Sequence, residues 1–215
     1  RTSLCRRLRR YAAGGSALLF ELQYDDALAS REDAAAAHRA WAARFADPVT
    51  PVARTPRPAR RYRMRVGYVS PRFGAGPLAS LFLPVLERHD RSRVEVTLYS
   101  SHAHEGAAAA RMRERADHWR DLPRDDDAAA RVIADDGLDL LLDLACHAPG
   151  NRLTVLARRP APIQAAWLDY ADTTGMRAIY YLVTDRFHAP ASESSSFRER
   201  LVHLPLQGWE PAAAG

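Results

Sequence analysis

Residues 138–176 read LDLLLDLACHAPGNRLTVLARRPAPIQAAWLDYADTTGM, and this stretch decides the fold. An apolar run (Leu138, Leu140, Leu141, Leu142) passes straight into Asp143 and a loop bearing His147. A second apolar run, Ile163 to Leu168, follows Pro160 and Pro162, with a short helix expected from about Asn151 to Leu156 between them. Continuous apolar runs of this length fit strands buried on both faces of a parallel sheet. Their carboxyl ends then deliver Asp143, His147 and Asp169 to one edge, and in open α/β sheets that edge is where ligands bind.

Working outward, the same alternation continues on both sides. Toward the amino terminus the pattern predicts strands at Met64–Ser70 and Val94–Ser100. Helices are expected at Pro77–His89, Ala107–Ala116 and Asp126–Asp135, and a further strand at Ile179–Thr184. Strands separated by helices need crossover connections, so the expected fold is α/β with a Rossmann-like parallel sheet over residues 64–206. Residues 3–22 and 31–45 read as two helices, the second capped by Ser30 with Asp33 at its third position, and form a helical appendage over 1–46. Pro48, Pro51, Pro56 and Pro58 make 47–63 a linker, since proline blocks helix and central strand alike. Residues 207–215 have no pattern and read as a disordered tail.

Composition bounds the function. The chain has 215 residues, 47% hydrophobic, and no apolar stretch near the roughly 20 residues a membrane span requires. The net charge is +5, yet all 31 basic residues are Arg in an Ala-rich chain, which points to codon bias more than to a selected basic face. Nucleic-acid binding is therefore disfavoured, with the cluster Arg57–Arg65 as its only foothold. Two distant cysteines, Cys5 and Cys146, build neither a disulfide framework nor a four-ligand metal site, and a reducing, cytoplasmic setting is expected.

The loops offer several chemistries. Gly74 and Gly76 before a helix suggest a dinucleotide loop, but the third glycine is missing and Pro77 removes an amide. Cys146 reads as a small buried residue, since neighbours on an extended loop point apart. His147 is open to three readings: general base, substrate hydrogen-bond partner, or loop histidine satisfied by backbone. Thr173-Thr174-Gly175 is a turn whose hydroxyls and amides could grip a hydroxylated or anionic substrate, or simply connect two elements. His102 and His104 lack a third metal ligand nearby.

Several motifs together carry a family resemblance. These are H-R-A-W at His38, R-V-G-Y-V-S-P at Arg65–Pro71, D-L-A-C-H-A-P-G-N-R-L at Asp143, R-P-A-P-I-Q at Arg159–Gln164 and W-L-D-Y-A-D-T-T-G at Trp167–Gly175. From about Leu18 to Pro205 the chain resembles the SPINDLY-type O-linked N-acetylglucosamine transferases. That resemblance implies the first lobe of a two-lobed GT-B glycosyltransferase in a bacterial-type cytoplasmic protein, with a helical-repeat region N-terminal to it. It implies transfer of a sugar from UDP-GlcNAc to Ser or Thr of an acceptor protein, with no metal and no further cofactor. His147 becomes the expected catalytic imidazole, and Asn151, Gln164, Thr173, Thr174 and Gly175 the expected substrate-binding residues.

The departures are equally specific. The family's S-P-D-F-x-x-H-P loop carries its proposed catalytic histidine, and here Arg72 and Gly76 stand at its Asp and His positions. G-H-T is Cys146-His147-Ala148, W-L-G-Y-P-G-T-T-G has Asp169 and Asp172 for its glycines, and M-D-Y is Ile179-Tyr180-Tyr181. The new carboxylates are expected to repel a diphosphate. With only the first lobe recognisable, the expectation is a domain inactive by itself, and the alternative a non-catalytic protein-interaction module derived from the family.

Overall fold

A computed structural model of the protein describes residues 10–24, 30–54, 62–74 and 76–204. Seven strands form one sheet: β1 (Met64–Ser70), β2 (Val94–Ser100), β3 (His118–Asp121), β4 (Leu140–Asp143), β5 (Ile163–Trp167), β6 (Tyr181–Thr184) and β7 (Arg200–His203). Their order is β3-β2-β1-β4-β5-β6-β7 and every pairing is parallel. The chain first runs outward from β1 to β3, then returns to the other side of β1 with β4. The switch point of this topology therefore lies between β1 and β4, where Val69 stands opposite Asp143.

Helices α1 (Ala12–Leu22), α2 (Arg31–Phe45), α3 (Pro77–Glu87), α4 (Ala107–Arg115), α5 (Asp126–Asp135) and α6 (Leu153–Leu156) cover the sheet. Strand alternation divides the core in two. Val66, Tyr68, Val96, Leu98, Leu142 and Ala165 pack with Leu78, Phe82 and Met112 of α3 and α4. Val69, Tyr99, Leu141 and Ala166 pack with Leu19, Trp41, Ile133, Leu153 and Leu156 on the other face. Both faces are covered, which is why these strands read as apolar runs. Gly67 sits mid-strand because a Cβ there would lie 2.5 Å from Leu138 Cδ1 and 2.8 Å from Tyr99 Cε2.

Most expected elements are present. α5 has the expected limits, α3 ends two residues earlier than expected, and β4 is trimmed to its centre. β3 was not expected: His118–Asp121 is a four-residue edge strand, mostly exposed, so it lacks the apolar signature of its neighbours. Ser30 caps α2 through a reciprocal pair with Asp33. The helices expected as an appendage share a core with the sheet, since Leu19, Trp41 and Ala42 are buried in the same cluster as Val69 and Leu141. Residues 1–9, Cys5 among them, most of the proline-rich linker (55–61) and the expected tail lie outside the described residues. Of the arginine cluster, Arg63 pairs with Asp117 at 2.7 Å and Arg65 with Glu95 at 3.4 Å, so both serve the sheet.

Candidate functional site

The exits of β1, β4 and β5 meet at the switch point. Asp143, the last residue of β4, is fully buried, and its Oδ2 accepts from the Cys146 amide at 2.6 Å. Its other oxygen, Oδ1, has no hydrogen-bond partner. Burial pushes the Asp143 carboxyl up to about 7, against the backbone amides of Cys146 and Ala145 that favour its ionised form. The neighbouring charge of Asp169 adds to that rise.

Asp169 follows Leu168, whose φ of 90° puts a bulky residue in the left-handed region as β5 ends. Arg72 comes from the loop after β1, and its Nη1 lies 3.0 Å from Asp169 Oδ2. Two of the departures from the family pattern thus form one ion pair, and Asp169 is not the bare negative charge expected from the sequence. The alignment is poor for hydrogen bonding, so this oxygen retains unused acceptor capacity. Burial raises the Asp169 carboxyl despite the pull of Arg72. Arg72 also reaches Pro149 O at 3.5 Å, tying the β1 and β4 loops together. Close approach reinforces this: a Cβ on Gly150, whose φ is 82°, would stand 3.0 Å from Pro71 Cβ.

Gly76, at the family histidine's position, caps α3 with φ 79° and ψ −169°. That region is essentially restricted to glycine, so the difference from a histidine is one of backbone as well as side chain. A Cβ there would meet nothing within 4 Å.

His147 stands elsewhere. It is fully buried, with Trp41 edge-on at 4.7 Å and His38 and Tyr170 at 5.1 and 5.5 Å. Its Nε2 faces Thr174 O at 3.1 Å and must donate, because a carbonyl only accepts. Nδ1 then accepts from Ser16 Oγ at 2.7 Å, and Ser16 Oγ accepts from Asn151 Nδ2 at 3.0 Å. One neutral tautomer satisfies the whole chain, and burial pushes the imidazole down to about 3. The expected proton transfer would require His147 to leave this pocket; in it, the ring joins α1 and the β5–β6 connection.

The remaining expected residues are also internally engaged. Gln164 is buried and its Nε2 donates to Leu156 O and Ala178 O, both at 2.9 Å. Asn151 bonds Ser16 and Ala148 O. The Thr173-Thr174-Gly175 turn does grip an anion, and the anion is the chain's own Glu199, itself buried. Thr173 Oγ1 donates to Glu199 Oε2 at 2.6 Å, the Thr174 amide donates to Oε1 at 2.8 Å, and the Thr174 hydroxyl donates to the same oxygen. Gly175, at φ 71°, lies against α2, where a Cβ would stand 2.5 Å from the His38 carbonyl. His38 bonds Ala34 O at 2.7 Å and Tyr170 OH at 2.6 Å.

The structure therefore brings Arg72, Asp143 and Asp169 together and places His147, Asn151, Thr173, Thr174 and Gly175 in a separate buried joint with the helices. Ser16 and Glu199 escaped the sequence reading: neither sits in a local pattern, and both act across more than 20 residues of chain. Cys146 is buried as expected, with φ 46° and its thiol pushed up by burial. Among the described residues, no helix is long and apolar enough to cross a membrane.

Comparison with known proteins bears directly on this fold. The model of Glycosyl transferase family 41 matches residues 49–208. The chain is 38% identical over 145 residues to a probable UDP-N-acetylglucosamine–peptide N-acetylglucosaminyltransferase SEC of Arabidopsis thaliana, covering 66% of this chain and 15% of that one. To a probable SPINDLY transferase of Oryza sativa subsp. japonica it is 33% identical over 176 residues, covering 79% and 19%. An O-GlcNAc transferase of Thermobaculum terrenum, solved as a mutant, superposes with a TM-score of 0.84 at 40% identity, over 91% of this chain and 38% of that one. The chain thus spans less than a fifth of these curated relatives. Its seven-stranded parallel sheet is the Rossmann-like α/β lobe of a GT-B glycosyltransferase, and the chain belongs to Glycosyl transferase family 41.

Proposed function

We propose that the lobe forms one wall of a UDP-sugar cleft and, with a donor-binding lobe, supports transfer of N-acetylglucosamine to a Ser or Thr hydroxyl of an acceptor protein. The observation that carries this reading is the pair of carboxyl oxygens without a hydrogen-bond partner, Asp143 Oδ1 and Asp169 Oδ2, at the switch point of the sheet. Buried polar atoms without a hydrogen-bond partner are rare, and a ligand hydroxyl, which both donates and accepts, would satisfy them. Asp169 then takes the proton of the acceptor hydroxyl as its oxygen attacks the anomeric carbon and UDP departs with the bonding electrons. Arg72 orients that carboxylate, and His147 acts as a positioning residue from its buried joint.

Calorimetric titration with UDP-GlcNAc and with UDP tests the binding step. Saturable heat supports the reading, and none at millimolar ligand removes this lobe as an independent donor site. In a transferase assay with a donor lobe present, Asp169→Asn is expected to lower kcat about a hundred-fold or more with KM little changed. The backbone of Gly76 favours a second reading, a non-catalytic interaction module, because it disfavours any side chain where the family histidine belongs. Transfer activity that survives Asp169→Asn would exclude Asp169 as base, and absence of transfer in the unaltered protein would favour the module.

A further inference from the structure

The amino edge of the sheet, opposite the switch point, carries a concavity. It encloses about 520 Å³ at the start of β5, the approach to β6 and the start of β7. Ile163 and Tyr180 contribute apolar surface to it while remaining 43% and 40% exposed. Arg177, Arg198 and Arg200 supply the charge. Asp47 is the carboxylate that answers them, at 3.6 Å from Arg177 and 3.7 Å from Arg198, while Arg200 has no ion-pair partner among the described residues. Three guanidiniums against one carboxylate leave two positive charges in excess beside exposed apolar surface.

The adjoining strand narrows the choice of ligand. β7 is the last strand of the sheet and, among the described residues, pairs on one side only, with β6. Arg200 and Val202 are exposed two residues apart on it, and two residues is the repeat of a strand face. An open strand edge presents backbone donors and acceptors in the spacing of an extended polypeptide, which a nucleotide or a free phosphate cannot use.

We propose that this corner docks an extended acidic segment of a partner protein. One part of the segment adds a strand to β7, and its continuation across the amino edge of the sheet directs carboxylates at Arg177 and Arg200 and covers Ile163 and Tyr180 with apolar side chains. The site is on the far edge of the sheet from Asp143 and Asp169, and stands whether or not the transferase reading holds.

Fluorescence anisotropy of a labelled peptide of alternating Glu and Val, titrated with the full chain, tests this. Saturable binding that weakens from low to moderate salt is expected, with little binding of a Lys/Val peptide of equal length. The double variant Arg177→Ala/Arg200→Ala should bind about ten-fold more weakly, as expected for two exposed charge pairs near 0.7 kcal/mol each. Both side chains are exposed, so an unchanged melting temperature shows that the variant is folded. Backbone N-methylation of alternate residues in the Glu/Val peptide should abolish binding if it adds as a strand. Absent binding, equal binding by the double variant, or undiminished binding of the N-methylated peptide would each overturn the proposal, and so would full competition by uridine monophosphate.

Discussion

Replacing Asp143 by Asn isolates the electrostatic state of the candidate cleft. The Asp143 carboxyl is raised from 3.8 to about 7 by burial, so the folded chain holds a proton there that the unfolded chain releases near pH 4. Below the unfolded value both states are protonated and nothing is lost. As pH rises through the window the unfolded state gains from ionising first, and the fold loses stability. Roughly three units at about 1.4 kcal/mol each give about 4 kcal/mol across the whole window, of which about 3 kcal/mol falls between pH 4.5 and 8. His147 masks this in the unaltered protein, because its imidazole is pushed down to about 3 and contributes the opposite slope. Its neutral folded form loses stability as pH falls below about 6.5, where the unfolded chain takes up the proton. The difference between variant and parent removes that term. Asn keeps the acceptor for the Cys146 amide and carries no charge. Urea unfolding at several pH values should therefore show Asp143→Asn gaining on the parent by about 3 kcal/mol from pH 4.5 to 8. A difference independent of pH, or one that grows toward acid, would refute the assignment of a raised carboxyl at this edge.

Other perturbations read the buried joint. Gly175→Ala places a Cβ 2.5 Å from the His38 carbonyl at a φ of 71°, and thermal melting should show destabilisation of more than about 3 kcal/mol. Glu199→Gln replaces a carboxylate that accepts from two threonine hydroxyls and an amide, and denaturant unfolding should register a loss of about 2 kcal/mol. The His147 ring should show its Nε2-protonated neutral form by nitrogen-15 NMR, unchanged from pH 8 to 5; titration near 6.5 would contradict the buried chain through Ser16 and Asn151.

The sequence by itself determined the parallel sheet. Apolar runs such as Leu140–Leu142 and Ile163–Trp167 bury both faces, and that pattern is local, carried by neighbouring residues whatever the rest of the chain does. The Ser30–Asp33 cap and the asparaginyl start of the short α6 segment were legible for the same reason. β3 was not, since an exposed edge strand has no need of apolar residues. The residues around the β4 and β5 exits were also recognisable as a group, though not the partner each would take. Only the tertiary structure decided that Arg72 and Asp169 cancel one another, that Glu199 fills the threonine turn, and that His147 is bonded to Ser16 of a helix from the amino-terminal segment. Those contacts join residues 25 to 131 positions apart. A side chain's solvation and partners follow from what the fold brings beside it, and that is written in no stretch of sequence around it.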